Sequence, residues 1–211
     1  LAQTHRNVEV VIALDGTSYE MASRLQKLDD PRIRTLRLRK RTKYPSAPEA
    51  RWMVAGWKPR TRAARSAKGN WVYWISDDDV LLPQAVERLL EEARATNAES
   101  VSGSYQAGIC NPVTHSPSEG FENFGQPISG PPAWLCRSYL GKMRWNRYSW
   151  LKQWNRPSDY DLFERMVRLK AKFSDIDDVV AVQPEVEGTN FVGRRGAIQA
   201  ARNFQPPQED V

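Results

Sequence analysis

Residues 71–83 read WVYWISDDDVLLP: branched and aromatic residues run straight into three consecutive aspartates, and a proline closes the stretch. Val72 and Trp74, with the apolar residues around them, predict a buried strand. Asp77, Asp78 and Asp79 fall at its C-terminal end, the edge at which open α/β sheets bind their ligands. Three adjacent carboxylates repel one another unless a cation or hydrogen-bond donors lie close, and Mg²⁺ and Mn²⁺ prefer oxygen ligands. A triplet on its own suits a solvated acidic turn equally well, so the remainder of the chain must decide.

The flanking pattern alternates strands with helices. Residues 8–14 (VEVVIAL) predict a strand ended by the turn Asp15-Gly16-Thr17-Ser18, with a helix over 19–28 and a half-exposed strand over 33–38 (IRTLRL) after it. Residues 39–59 are basic and contain Pro45, Pro48, Gly56 and Pro59, which predicts a loop, followed by a helix over 60–68. Pro83 opens a helix over 84–96 with Ala85, Val86, Leu89, Leu90 and Ala93 on one face. A strand over 99–105, an irregular segment over 106–132 and a helix over 133–144 follow. Ser158, at capping-box spacing from Asp161, starts a helix over 159–170, and a short strand over 179–182 ends the pattern. The alternation predicts an α/β fold around a mixed, mostly parallel sheet flanked by helices.

Charge is unevenly distributed. Residues 32–68 contain thirteen Lys and Arg against one acid, Glu49, a net +12 in a chain whose total is +6. Such a block suits an anionic partner: nucleotide phosphates, nucleic acid or an anionic membrane surface touched peripherally. Few aromatics interleave with it, and no nucleic-acid module is present, so no nucleic acid is expected. Cys110 and Cys136 form no metal-binding spacing and no disulfide framework, which predicts a reducing, cytoplasmic compartment. No apolar run approaches the length of a membrane span. His5 and His115 have no partner spacing.

With these pieces placed, the chain resembles the family-2 glycosyltransferases, nucleotide-sugar enzymes of GT-A fold, over about residues 3–182. QTHRNVEVVIALDGTS, residues 3–18, is similar to the family's Q-T-x-x-N-x-E-V-x-V-x-D-D-G-S stretch, with Leu14 in the first Asp position and Asp15 in the second. PRTRAARSAKGNWVYWISDDDVLLP, residues 59–83, is similar to A-R-N-x-G-I-x-x-A-x-G-x-Y-I-x-F-x-D-x-D-D-x-x-x-P, with Thr61 for the Asn and Ser76 where many members have the first Asp. RPSDYDLFERMVRL, residues 156–169, is similar to the E-D-x-D-L-x-x-R segment that carries the catalytic base, with Ser158 for the Glu. Family members place a strand and helix before the Q-T stretch. The sequence therefore reads as shortened at its N-terminus by about 25–30 residues, the length of a strand–helix unit, with a transferase domain over 1–187 and a tail over 188–211.

The resemblance implies an inverting, metal-dependent transfer of sugar from a nucleoside diphosphate to an acceptor hydroxyl. Asp79, then Asp77, would hold Mn²⁺ or Mg²⁺. Asp15, Arg60, Asp77 and Asp78 would bind the nucleotide sugar, and Asp159 would be the general base with Asp161 as its alternate. Asp15 alone also suits an Asx turn, Arg60 a surface arginine, and Asp159 a helix-dipole acid. One of Trp134, Trp145, Trp150 and Trp154 is expected to stack on a sugar ring. The base (UDP, GDP or dTDP) and the acceptor (glycan, lipid-linked or small molecule) stay open. Leu14, Ser76 and the missing strand favour a second reading, a GT-A-fold binding protein without turnover.

Overall fold

The computed structural model describes residues 2–107, 113–117, 130–151 and 157–183. In chain order these form β1 (Val10–Leu14), α1 (Tyr19–Gln26), β2 (Ile33–Arg37), α2 (Pro48–Met53), α3 (Trp57–Ser66), β3 (Trp71–Tyr73), β4 (Val80–Leu81), α4 (Ala85–Thr96), β5 (Ser100–Ala107), β6 (Val113–His115), β7 (Trp134–Arg137), α5 (Ser138–Gly141), α6 (Ser158–Arg168) and β8 (Phe173–Gln183). Short 3₁₀ turns lie at Pro131–Ala133 and Ser149–Leu151.

The main sheet runs β3-β7-β5-β8-β4, with β6 added to β5, and β1 and β2 pair in parallel as a separate ribbon. The sheet is mixed, as the sequence predicts, but its parallel share is small. Among the described residues β5–β8 is its parallel pair, while β3–β7, β5–β7, β4–β8 and β5–β6 are antiparallel.

Both faces of the sheet are covered, which is what keeps an α/β sheet dry. Alternation along β7 shows how: Trp134 and Cys136 enter the core beneath α6, and Leu135 enters the core beneath α4. The first core joins Val72, Trp74, Trp145, Leu162, Phe163 and Met166 to these two; the second joins Leu89, Leu90, Val101 and Val180 to Leu135. Trp134, Trp145 and Phe163 are all below 2% exposed, and full burial of a large apolar side chain contributes about 1.5–3 kcal/mol relative to exposure.

The chain's start is fastened to the segment after the triplet. Gln3, 7% exposed, donates from Nε2 to the Leu82 carbonyl at 2.7 Å and accepts from Val86 N at 3.1 Å, while Thr4 N donates to the Pro83 carbonyl at 2.8 Å. Glu9 Oε1 accepts from Lys68 N and Gly69 N, tying the entry to β1 to the turn before β3.

Three sequence expectations need correction. Residues 39–59 are not all loop, because Pro48 stands in the first turn of α2 and Pro59 in the first turn of α3. A backbone N–H is dispensable there, so neither proline breaks its helix. Residues 133–144 are not one helix: Trp134–Arg137 is a strand held between β3 and β5, and only Ser138–Gly141 is helical. Finally, Ser158 and Asp161 form no capping box. Pro157 occupies the cap position without a side-chain bond, and Ser158 already lies inside α6. The tail over 188–211, Cys110 and Trp154 lie outside the described residues.

Candidate functional site

The aspartate triplet does not continue a strand; it forms the turn between β3 and β4. Ser76 N donates to Asp79 Oδ2 at 3.1 Å and Asp79 N donates to the Ser76 carbonyl at 3.3 Å, closing a local loop. Alternation therefore does not govern where these side chains point. Asp77 is exposed, whereas Asp78 and Asp79 are half-buried. Burial raises the Asp79 carboxyl above the ordinary carboxylate range and Asp78 adds to the rise, against the Ser76 N–H, the charge of Arg60 and the Gln183 side-chain amide. Asp79 Oδ1 is buried with no hydrogen-bond partner.

A second orphan oxygen accompanies it. β4 and β8 pair with Val80 opposite Val182, which brings Gln183 to the side of Asp79, and Gln183 Oε1 is likewise buried and unpartnered. Gln183 escapes a reading of the sequence because the strand signal fades after Val182, and its significance depends on a partner strand a hundred residues away.

Arg60, on α3, reaches the same place. Its Nη2 donates to Ser76 Oγ at 3.0 Å, and the guanidinium lies 4.8 Å from the centroid of the Trp145 ring, stacked over it. Its charge lowers the pKa of both Asp79 and Asp159. Asp159, in the first turn of α6, is partly buried; burial raises its carboxyl above the usual range, and Arg60 together with the Tyr160 N–H pulls it back. The charge of one guanidinium thus acts on two acids eighty residues apart in sequence.

Asp161 is occupied otherwise. It is 1% exposed, accepts from Asn146 Nδ2 at 3.1 Å and Arg165 Nε at 3.0 Å, and Arg165 Nη2 also donates to the Arg144 carbonyl at 2.6 Å. These bonds pin the loop after α5 to α6. That leaves Asp159 as the acid of this helix turned to Arg60.

Asp15 stands just after β1, and its two oxygens accept from Thr42 N at 2.7 Å and Tyr44 Oη at 3.2 Å. Tyr44 Oη in turn accepts from Gly56 N at 3.3 Å, the residue that caps α3. The chain Asp15–Tyr44–Gly56 connects the β1 turn to the helix carrying Arg60. Tyr44 lay hidden in what the sequence presents as a basic loop.

Of the tryptophans, Trp134 and Trp145 belong to the core, Trp134 donating from Nε1 to Ser100 Oγ at 2.6 Å. Trp150 lines a cleft with Trp57, Tyr148 and Arg147. His115 stacks on Tyr105 at 4.8 Å, away from these residues. No cluster of three His, Cys, Asp or Glu able to hold a metal occurs among the described residues. Within them no helix is long and apolar enough to cross a membrane.

Among solved structures, the crystal structure of S. aureus TarS 1–349 in complex with UDP superposes with a TM-score of 0.60 at 15% identity, covering 94% of this chain and 57% of that one. TarS 1–349 in complex with UDP-GlcNAc gives 0.62 at 14% identity, covering 87% and 51%. The chain spans about half the length of these two, and at such identity the likeness is one of fold. A comparison with curated proteins finds no match. Residues 58–155 match the family model described as glycosyl transferase family 2. That segment, just under half of the chain, runs from α3 with Arg60 through the aspartate triplet to residue 155, ahead of α6; over it the chain is similar to family-2 glycosyltransferases, and its fold is the GT-A fold of these structures.

Proposed function

We propose that the chain transfers a sugar from a nucleoside-diphosphate sugar, UDP being the first nucleotide to test, to an acceptor hydroxyl with inversion at the anomeric carbon. The observation that carries this reading is the guanidinium of Arg60, held on Ser76 and over Trp145, whose charge acts on both the turn acid Asp79 and the helix acid Asp159. Transfer requires a cation at the leaving diphosphate, a base at the acceptor hydroxyl, and both held in line. Arg60 supplies a fork suited to phosphate oxygen. Asp159, its pKa raised by burial, is suited to accept the hydroxyl proton as the hydroxyl attacks the face opposite the diphosphate. Asp15, already bound by Thr42 N and Tyr44 Oη, has acceptor lone pairs to offer the ribose or base.

The two orphan oxygens, Asp79 Oδ1 and Gln183 Oε1, fit a hard divalent cation such as Mn²⁺ or Mg²⁺. Mg²⁺ commonly binds through one or two carboxylates plus the phosphates of its substrate, and Asp79 with Gln183, and Asp77 at the rim, would make the protein's share. When bound, the cation would neutralise charge on the diphosphate.

The test is thermal melting with UDP, GDP and dTDP, each with and without Mn²⁺, repeated on Asp79→Ala. Native-state binding raises the melting temperature by mass action. A metal-dependent rise for one nucleotide, lost in the variant, supports the reading; no rise for any of them sinks it. A rise without release of nucleotide from any sugar donor would favour a donor-binding protein without turnover.

A further inference from the structure

A cleft of about 240 Å³ opens beside the N-terminus of α3, lined among others by Lys43, Val54, Trp57, Arg147, Tyr148 and Trp150. Val54, 1% exposed, is its most buried wall, and the aromatic residues present rings to it. The Arg147 guanidinium lies 4.3 Å from the Tyr148 ring centroid and 5.9 Å from that of Trp57, and donates to Tyr148 Oη. Among the described residues no acid lines the cleft, and neither Lys43 nor Arg147 has a carboxylate partner. Two cations without counter-charge, set among aromatic rings, are a recognition surface for a ring that carries an anion.

We propose that this cleft holds the acceptor, and that the acceptor unit is a sugar ring bearing a phosphate or carboxylate. The proposal rests on the transferase reading and adds the substrate class. Apolar sugar faces pack on aromatic rings, and Arg and Lys supply charge-assisted bonds to the anion. The volume lies below the roughly 300–1,000 Å³ of sites for drug-sized ligands, which suits a single ring.

The position agrees. Trp57 opens the helix whose next turn carries Arg60; Lys43 neighbours Tyr44, which holds Asp15; Arg147 follows Trp145, on which Arg60 stacks. The Asp161–Asn146 bond fixes the loop that brings Trp145 and Arg147 to their places. Lys43 also belongs to the +12 segment, so long-range attraction of an anionic acceptor acts in the same direction.

The test is calorimetric titration of the 211-residue chain, with UDP saturating so that the diphosphate site is filled, using glucose 6-phosphate, glucuronate, glucose and inorganic phosphate. Glucose 6-phosphate and glucuronate should bind saturably, with glucose and phosphate each weaker by about tenfold or more, the value of one charged hydrogen bond. Lys43→Gln and Arg147→Gln should each weaken the anionic sugars by about tenfold while leaving the UDP-induced rise in melting temperature intact. Glucose binding as tightly as glucose 6-phosphate, no binding of either anionic sugar, or unchanged affinity in both variants would overturn the proposal. Capture by phosphatidylglycerol vesicles that depends on Lys43 and Arg147, with no affinity for the anionic sugars, would overturn it in favour of a lipid surface. Absence of a UDP response alongside retained, variant-sensitive binding of glucose 6-phosphate would instead fault the donor reading and leave the anion-binding cleft standing.

Discussion

Arg60 Nη2 donates to Ser76 Oγ at 3.0 Å, and the serine accepts without neutralising the guanidinium. An aspartate at position 76 would form an ion pair there and take the charge of Arg60 away from Asp79 and Asp159. Replacing Arg60 by Lys keeps a cation but loses the planar fork and its stacking over Trp145. Arg60→Lys should weaken UDP binding by about tenfold, one charge-assisted bond's worth, read by titration calorimetry, with the melting temperature of the ligand-free chain little changed.

The acid limb of activity follows from Asp159. Burial raises its carboxyl, with Arg60 and the Tyr160 N–H opposing. In the proposed role of general base it must be ionised, so release of UDP from a UDP-sugar at saturation should fall as pH drops through a value above the usual ~4 of a free Asp. Removing the cation disfavours the carboxylate, so Arg60→Met should move that limb to higher pH. Asp159→Asn should lower the rate by about 10²–10⁴-fold at pH above the limb, the deficit shrinking below it. An unshifted limb in Arg60→Met would separate the two residues functionally.

Much of this arrangement is legible in the sequence where the signal is local. The β1 strand and α4 with its Leu89–Leu90 stripe stand where hydrophobic periodicity places them. Trp134–Arg137 is not legible as a strand, because so short an apolar run, Trp134–Cys136 before Arg137, has no distinguishing period and becomes a strand by pairing with Ser100–Ser102 and Trp71–Tyr73. Asp159 and Asp161 look alike in the sequence; only the approach of Asn146 and Arg165 ties up one and leaves the other. Gln183 and Tyr44 depend on contacts across strands and loops, which no spacing rule encodes.

Gly56 joins α2 to α3 with φ +70°, a conformation that L side chains adopt at a cost, and a Cβ there would lie 3.2 Å from Arg60 Nε. Gly56→Ala should therefore cost about 1–2 kcal/mol of stability from the backbone alone. It should also lower UDP affinity, because the methyl group displaces the guanidinium. Gly56→Ala matching wild type in both denaturant midpoint and UDP affinity would show that the turn relaxes without disturbing Arg60.

Asp161 should matter for folding more than for chemistry. Truncating one member of a buried ion pair strands the other, at about 3–5 kcal/mol; the partial exposure of Arg165 puts this site near the lower end. Asp161→Ala should lower the denaturant midpoint accordingly. Through the freed 144–148 loop it should also weaken binding of glucose 6-phosphate to the cleft, while leaving the pH limb set by Asp159 in place.

Gly141 has the tightest surroundings of the described glycines. A Cβ at this position would lie 2.6 Å from Val72 Cβ, so α5 packs directly onto β3 with no room for a methyl group. Its constraint is space, since its φ is not in the left-handed region. Gly141→Ala should cost about 1–3 kcal/mol by overpacking, since helix and strand must separate. Val72→Ala alone should also destabilise, by loss of burial. The double variant, in which the added methyl group takes the space the valine leaves, should be more stable than the sum of the two single losses predicts. Additive losses in that double-mutant cycle would mean the helix shifts as a whole, and the strain would then reach Trp145, which shares a core with Val72, and through it the Arg60 that lies over its ring.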